Sequence, residues 1–205
     1  MSYCGWDNNE EQKYYHDEIW GRPVHDDLKH FENIIYEVFQ CGLSWWLVYA
    51  KRGLLEKLFD GFDFEKISKY TQTDIERIFS SEGMIKSKNK INAVINNANK
   101  FIEIRNEFGS FDNYLWSYTG NKTLIYEKHK DGYIPASNGL SLKISKDLKK
   151  RGFKYLGSII VYSHMQACGL ILDHSADCHC FKEIVESHPT KNKQRYLEKD
   201  VIYYK

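Results

Sequence analysis

Residues 83–98 read GMIKSKNKINAVINNA, and this stretch decides the fold. Ile91, Val94, Ile95 and Ala98, continued by Phe101 and Ile102, recur at helical spacing from a start near Ser87. Upstream, Thr73-Asp-Ile-Glu76 has the hydroxyl-to-carboxylate spacing of a capping box. The helix it opens carries Ile75, Ile78 and Phe79. Gly83 follows where a helix commonly ends in a left-handed residue. Two helices joined by a short turn are therefore expected over residues 73–102.

The flanking sequence extends this pattern. Asp26 or Asp27 is positioned to cap a helix with Leu28, Phe31, Ile34, Ile35 and Val38 on its apolar stripe, ended or bent at Gly42. Leu43 to Leu58 reads as a further helix, and GFDFEKISKY (61–70) as a connection with a short helix. Ser141 to Lys150 and Ser158 to Leu170 complete the helical set. Residues 1–24 read as irregular and 117–139 as loop, and no segment alternates as a strand would. The expected class is all-α, as one domain or as two small lobes around a shared core. A domain over 1–183 is expected, followed by a polar extension over 184–205.

Composition narrows the function. Apolar residues make up 42% of the 205 positions, enough for a sizeable core. No run of about eighteen apolar residues occurs, which argues against a membrane span. MSYCGWDNNEEQ lacks the basic-then-apolar plan of a signal peptide, so a cytoplasmic setting is the default. Five cysteines, an odd number in a reducing compartment, do not suggest a disulfide framework. The net charge of +1 gives no global pull on a polyanion, so any nucleic-acid contact rests on local clusters.

Three such clusters carry chemistry. Lys86, Lys88 and Lys90 crowd the start of the helix after Gly83, where free N–H groups and the positive end of the helix dipole favour a phosphate. The same pattern serves an ordinary helical hairpin with solvated lysines. In EVFQCGLSWW (37–46), Glu37 precedes Trp45 and Trp46, and Trp6, Tyr14, Tyr15 and Trp20 lie upstream. Aromatic faces around one carboxylate suit a flat, electron-poor ring. Glu37, however, falls well off the apolar stripe, so a core of aromatics with Glu37 facing water satisfies the pattern too. Cys4, His16, His174 and Cys178 offer two thiolates and two imidazoles, the donor set of a closed tetrahedral zinc site. His174 and Cys178, four apart, share one face if their segment is helical. Cys180 and His179 stand beside them with the same donor atoms, and spacing does not choose among them.

At these residues the chain resembles the bacterial 3-methyladenine DNA glycosylase I family, of the helix–hairpin–helix glycosylase superfamily. The motifs are CGW (4–6), YHDEIWG (15–21), QCGLSW (40–45), GMIKSKNKINAVINNA (83–98) and KKRGFKYLGSIIVYSHMQACGLILDH (149–174). The resemblance implies a structural zinc on Cys4, His16, His174 and Cys178 that ties the two ends together. It implies that Glu37 and Tyr15 bond the damaged base, that Trp45 stacks on it, and that Trp6 and Trp20 complete the pocket. It makes the hairpin, with Gly83, Lys86, Ser87, Lys88 and Lys90, a clamp on the DNA backbone. The implied activity is hydrolysis of the N-glycosidic bond of 3-methyladenine in alkylated double-stranded DNA. A monofunctional enzyme would leave an abasic site, and no membrane or protein partner is implied.

The chain departs from the family pattern at Ile19, where Glu is usual, and at His164, where Phe is usual. Val38 and Phe39 also replace small or polar residues after Glu37. Bulk there would reshape the pocket, and the competing reading is a non-catalytic DNA-binding protein on the same scaffold. No Asp is tied to the sugar by the motifs, Asp112 being the nearest downstream. Lys149, Lys150, Arg151 and Lys154 form a second basic cluster, suited to phosphates or to a solvated helix end.

Overall fold

The computed structural model describes residues 4–5, 9–126 and 134–193. Its helices are α1 (Glu10–Glu18), α2 (Asp27–Gln40), α3 (Trp45–Tyr49), α4 (Arg52–Leu58), α5 (Phe64–Ile67), α6 (Gln72–Ser80), α7 (Lys88–Phe108), α8 (Phe111–Ser117), α9 (Gly139–Lys150), α10 (Ser158–Ala167) and α11 (His179–Ser187). The long α7 packs against α2, α5, α6 and α8, and α10 lies against α9 and α2. One continuous apolar cluster joins these helices, including Phe31, Phe39, Phe101, Phe111, Trp116 and Met165. A small satellite of Ile125, Leu172 and Ile184 lies apart from it.

Several boundaries follow from local chemistry. Asp26 is the N-cap of α2, its carboxylate accepting from Lys29 N at 2.8 Å. Ser87 is the N-cap of α7. The capping box of α6 lies two residues earlier than the sequence suggests. Asp74, not Glu76, reaches back, its carboxylate accepting from Thr71 N at 2.9 Å. Glu76 instead meets Gln72 and Lys88. The expected single helix over 43–58 breaks at Ala50 and Lys51 into α3 and α4.

Two expectations are corrected. Residues 10–18, expected to be irregular, form α1, capped by the Asn9 side chain accepting from Gln12 N at 2.9 Å. This helix buries only Tyr15 and His16, so it has no apolar stripe to announce it. The fold is mostly helical but not all-α. β1 (Thr123–Tyr126) pairs in parallel with β2 (Thr190–Lys193), Thr123 facing Thr190. All four β1 residues are buried, and a continuous buried run shows no alternation. Helix α11 runs across residue 183, Ile184 in it is fully buried, and the chain continues into β2.

Two glycines permit close approaches that position the ends. A Cβ on Gly169 would lie 2.5 Å from Pro23 N, so this turn can seat the segment before α2 only without a side chain. Val24 N then donates to Cys168 O at 3.1 Å. Gly21 has φ +79° and abuts the His174 ring, which a Cβ would meet at 2.9 Å. Arg22 reinforces this junction. It donates to Asp17 O and forms a two-pronged pair with Glu183 of α11 at 2.8 and 3.1 Å.

Candidate active site and metal-ligand cluster

Tyr15, Trp20, Glu37, Gln40, Trp45, Trp46, Ser163, Gln166 and Ala167 line a cavity of about 240 Å³. They come from α1 and its C-terminal turn, α2, α3 and α10. Drug-sized pockets run to about 300–1,000 Å³, so this hollow suits a single flat ring system. Ser44 starts α3, its hydroxyl accepting from Leu47 N at 3.3 Å, and so sets Trp45 and Trp46 at the cavity. Tyr15 lies 5.4 Å from the Trp45 ring and 5.9 Å from Trp46, and Trp45 stacks on Tyr49 at 5.9 Å.

Glu37 is 2% exposed. The helical wheel could not place it, because α2 is buried all round from Ile34 to Phe39. Burial raises its carboxyl pKa well above the ordinary carboxylate range. Burial and the neighbouring Glu37 likewise hold the Tyr15 phenol well above its usual value. Glu37 Oε2, Gln40 Oε1 and Trp45 Nε1 are buried with no hydrogen-bond partner. Orphan atoms of this kind cost about 1–3 kcal/mol each unless something satisfies them. These three polar atoms belong to residues that line one aromatic-walled hollow, an arrangement suited to a flat ligand with polar edges.

Val38 and Phe39 do not reshape this cavity. Both are fully buried in the main core and neither lines it. Ile19 lines a separate hollow of about 390 Å³ that shares Tyr15 and Ala167 with the first. Asp112 lies outside the cavity lining, and its carboxylate meets His30 and His25 at 3.0 and 3.2 Å. Trp6 lies outside the described residues. Gln40, Ser163, Gln166 and Ala167 join the lining without having been singled out by the sequence, whereas Trp46 stands in the aromatic cluster read there. Gln40 follows Glu37 by three helical positions, which was an available signal. The α10 residues carry none, since only tertiary packing brings them here.

Cys4, His16, His174 and Cys178 converge, with one donor atom of each within 4.8 Å of the others. His16 Nε2 is 3.2 Å from His174 Nδ1. Cys4 Sγ is 3.5 Å from that same Nδ1, and Cys178 Sγ is 3.6 Å from it and 3.7 Å from His16 Nε2. A tetrahedral zinc with ordinary bond lengths has edges of about 3.3 Å between nitrogens and about 3.6 Å between nitrogen and sulfur. These four distances match the edges of a tetrahedral zinc site, so the residues present fit the ion. The outer ring nitrogens are held as metal-bound imidazoles require, His16 Nδ1 at 2.7 Å from Asp17 and His174 Nε2 at 2.9 Å from Trp20 O. Burial pushes the Cys4 thiol up to about 11 and the His174 imidazole down to about 4. His174 and Cys178 meet through a turn rather than a helix, Cys178 N donating to Ser175 O at 2.9 Å. Cys180 contacts His16 on its Nδ1 side, away from the tetrad, and His179 is not among the four.

The hairpin separates its lysines. Gly83 has φ +73°, and the Lys86 ammonium donates to Phe79 O and Ser81 O at 2.6 Å each, closing the end of α6. Lys88 pairs with Glu76 on the surface. Lys90 turns inward instead. It is 8% exposed, and Nζ donates to Phe39 O and Cys41 O at 2.7 and 2.6 Å, capping the end of α2 just beyond Gln40. In the second basic cluster Arg151 is engaged by Glu107 and Asp147, while Lys149, Lys150 and Lys154 are exposed.

Residues 6–182 match the methyladenine glycosylase family. The chain is 38% identical over 182 residues to DNA-3-methyladenine glycosylase 1 of Escherichia coli strain K12, covering 88% of this chain and 97% of that one. It is 36% identical to DNA-3-methyladenine glycosylase of Haemophilus influenzae, covering 86% and 96%. The crystal structure of 3-methyladenine DNA glycosylase I superposes with a TM-score of 0.83 at 38% identity, over 87% of this chain and 99% of that one. The Staphylococcus aureus enzyme, solved to explain 3-methyladenine recognition, superposes with a TM-score of 0.82 at 32% identity, over 88% and 96%. With this coverage in sequence and in structure, the chain belongs to the methyladenine glycosylase family.

Proposed function

We propose that this protein is a DNA repair glycosylase that releases 3-methyladenine from alkylated double-stranded DNA. The observation that carries this reading is the aromatic cavity around Glu37 and its three unpartnered polar atoms. Adenine methylated at N3 in DNA bears a positive charge, so its glycosidic bond is already weak. An extruded base enters the hollow, where Trp45 stacks on its face and Glu37, with Tyr15, bonds its edge. The aromatic faces and the carboxylate favour a cation over neutral adenine, which supplies the selection.

Bond cleavage sends the glycosidic electron pair to the base, which leaves neutral without taking a proton. Water adds to the sugar carbon and loses its proton to solvent, leaving an abasic site. No lysine lines the cavity among the described residues, which fits hydrolysis rather than attack by an amine.

Cys4, His16, His174 and Cys178 would hold a structural zinc, which with four protein ligands supplies cross-linking rather than water activation. Tyr15 and Trp20 flank His16 in sequence, so the tetrad fixes the wall that they build. The α6–α7 turn, through Gly83, Lys86, Ser87 and Lys88, would grip the DNA backbone without reading its sequence. Lys90 would support that grip from inside rather than touch phosphate. A DNA substrate fits the cytoplasmic setting expected from the sequence. Incubating the protein with methylated DNA and identifying the freed base tests the reading, and DNA binding with no base released would overturn it.

A further inference from the structure

A second cluster of metal-ligand residues lies outside both the tetrad and the base cavity. His30 on α2, and His164 and Cys168 at the end of α10, each place one donor atom within 4.8 Å of the others. Their exposures are 0%, 5% and 0%. Cys168 Sγ lies 3.7 Å from His164 Nε2, close to the edge of about 3.6 Å expected between sulfur and nitrogen on one ion. His30 Nδ1 and His164 Nδ1 are buried with no hydrogen-bond partner.

The surroundings have the form of an outer metal shell. Asp112 Oδ1 is 3.0 Å from His30 Nε2, which leaves the unpartnered Nδ1 on the other side of the ring. A carboxylate on the far side of an imidazole is the usual support for a ligating histidine. Asn33 Nδ2 donates to Cys168 Sγ at 3.3 Å, a contact that partly offsets the rise that burial gives this thiol. With Zn²⁺, one thiolate and the part-exposed Asp112 carboxylate the formal charges sum to zero, and with Cu⁺ they sum to −1. His25, its side chain 54% exposed, touches Asp112 at 3.2 Å and links the cluster to solvent.

We propose that His30, His164 and Cys168 bind a thiophilic d¹⁰ cation, Zn²⁺ or Cu⁺. Two imidazoles and a thiolate, with no oxygen ligand, select these ions over Mg²⁺ or Ca²⁺. On binding, the Cys168 S–H bond breaks, a sulfur–metal bond forms and the proton leaves to solvent. The ion would fasten α2, which carries Glu37, to α10, which carries Gln166, beneath the base cavity.

The test compares untagged wild-type protein with His164→Phe, a substitution that fills the same space. Each is equilibrated with Co²⁺ as the zinc probe and, separately, titrated anaerobically with Cu⁺ against a chromophoric chelator. The wild type is expected to hold about one equivalent more of at least one ion than the variant, with a correspondingly stronger thiolate-to-metal charge-transfer band above the one that the tetrad's two thiolates give both proteins. Cys168→Ala should lose the same equivalent, which guards against misfolding of the first variant. The tetrad contributes equally to all three proteins, so the difference reads this cluster alone. Equal binding of both ions by all three would overturn the proposal.

Discussion

Tyr15 and His16 are consecutive residues of α1 whose rings serve different sites. The Tyr15 ring meets Trp45 at 5.4 Å and lines the base cavity, whereas His16 Nε2 lies 3.2 Å from His174 Nδ1 in the ligand tetrad. One backbone step therefore couples the metal cluster to the pocket wall. On the proposed zinc assignment, treating the protein with a chelator should lower the melting temperature by roughly 10 °C or more. It should also weaken binding of free 3-methyladenine while most helical circular dichroism persists. Unchanged base binding in metal-free protein would show that the wall stands by itself.

Glu37 gives a pH signature. Its pKa is raised by burial, so the folded protein holds a proton that the unfolded chain releases at ordinary carboxylate pH. Its contribution to stability is therefore full below the unfolded pKa and is lost as pH rises towards the folded value. Glu37→Gln has no such loss. The variant's stability relative to wild type should rise with pH above about 4.5, by at most about 1.4 kcal/mol per unit. Melting curves across pH check this, and a difference that is flat with pH would place the carboxylate in water.

Lys90 distinguishes support from contact. Lys90→Met leaves the Phe39 and Cys41 carbonyls without their donor, at a cost of about 1–3 kcal/mol. The melting temperature should fall by about 2–4 °C for each kcal/mol. If DNA affinity fell with no change in melting, Lys90 would be the phosphate contact that its position in the basic run first suggests.

Lys86 and Lys88 stand on the outside of the same turn. Replacing both with Gln should weaken binding to DNA of any sequence. The slope of log affinity against log salt should become shallower by about 2. An unchanged slope would remove the hairpin from the DNA interface.

Much of this was legible in the sequence, for identifiable reasons. The α6–α7 turn announced itself through periodicity, Ser87 and Gly83. The four tetrad residues stood out as donors, but only the family resemblance chose them over Cys180 and His179. Local rules failed where packing decides. Helix α1 has no apolar stripe, β1 is buried on both faces, and His174 and Cys178 meet through a turn that spacing reads as helix. The wheel left Glu37 open because α2 has no solvent face around it. The reversal of Lys90 depends on the end of α2 lying beneath α7, a contact 49 residues away that no local pattern encodes.

The central claim is that the cavity around Glu37 selects and releases a methylated base. Its most direct test is chromatographic detection of free 3-methyladenine from methylated DNA, with wild type and Glu37→Gln compared at equal concentration. The wild type should release the base, and the variant should release it roughly 10- to 100-fold more slowly, the loss of one hydrogen bond to a charged group. Release at the wild-type rate by the variant, or no release by either, would contradict the account.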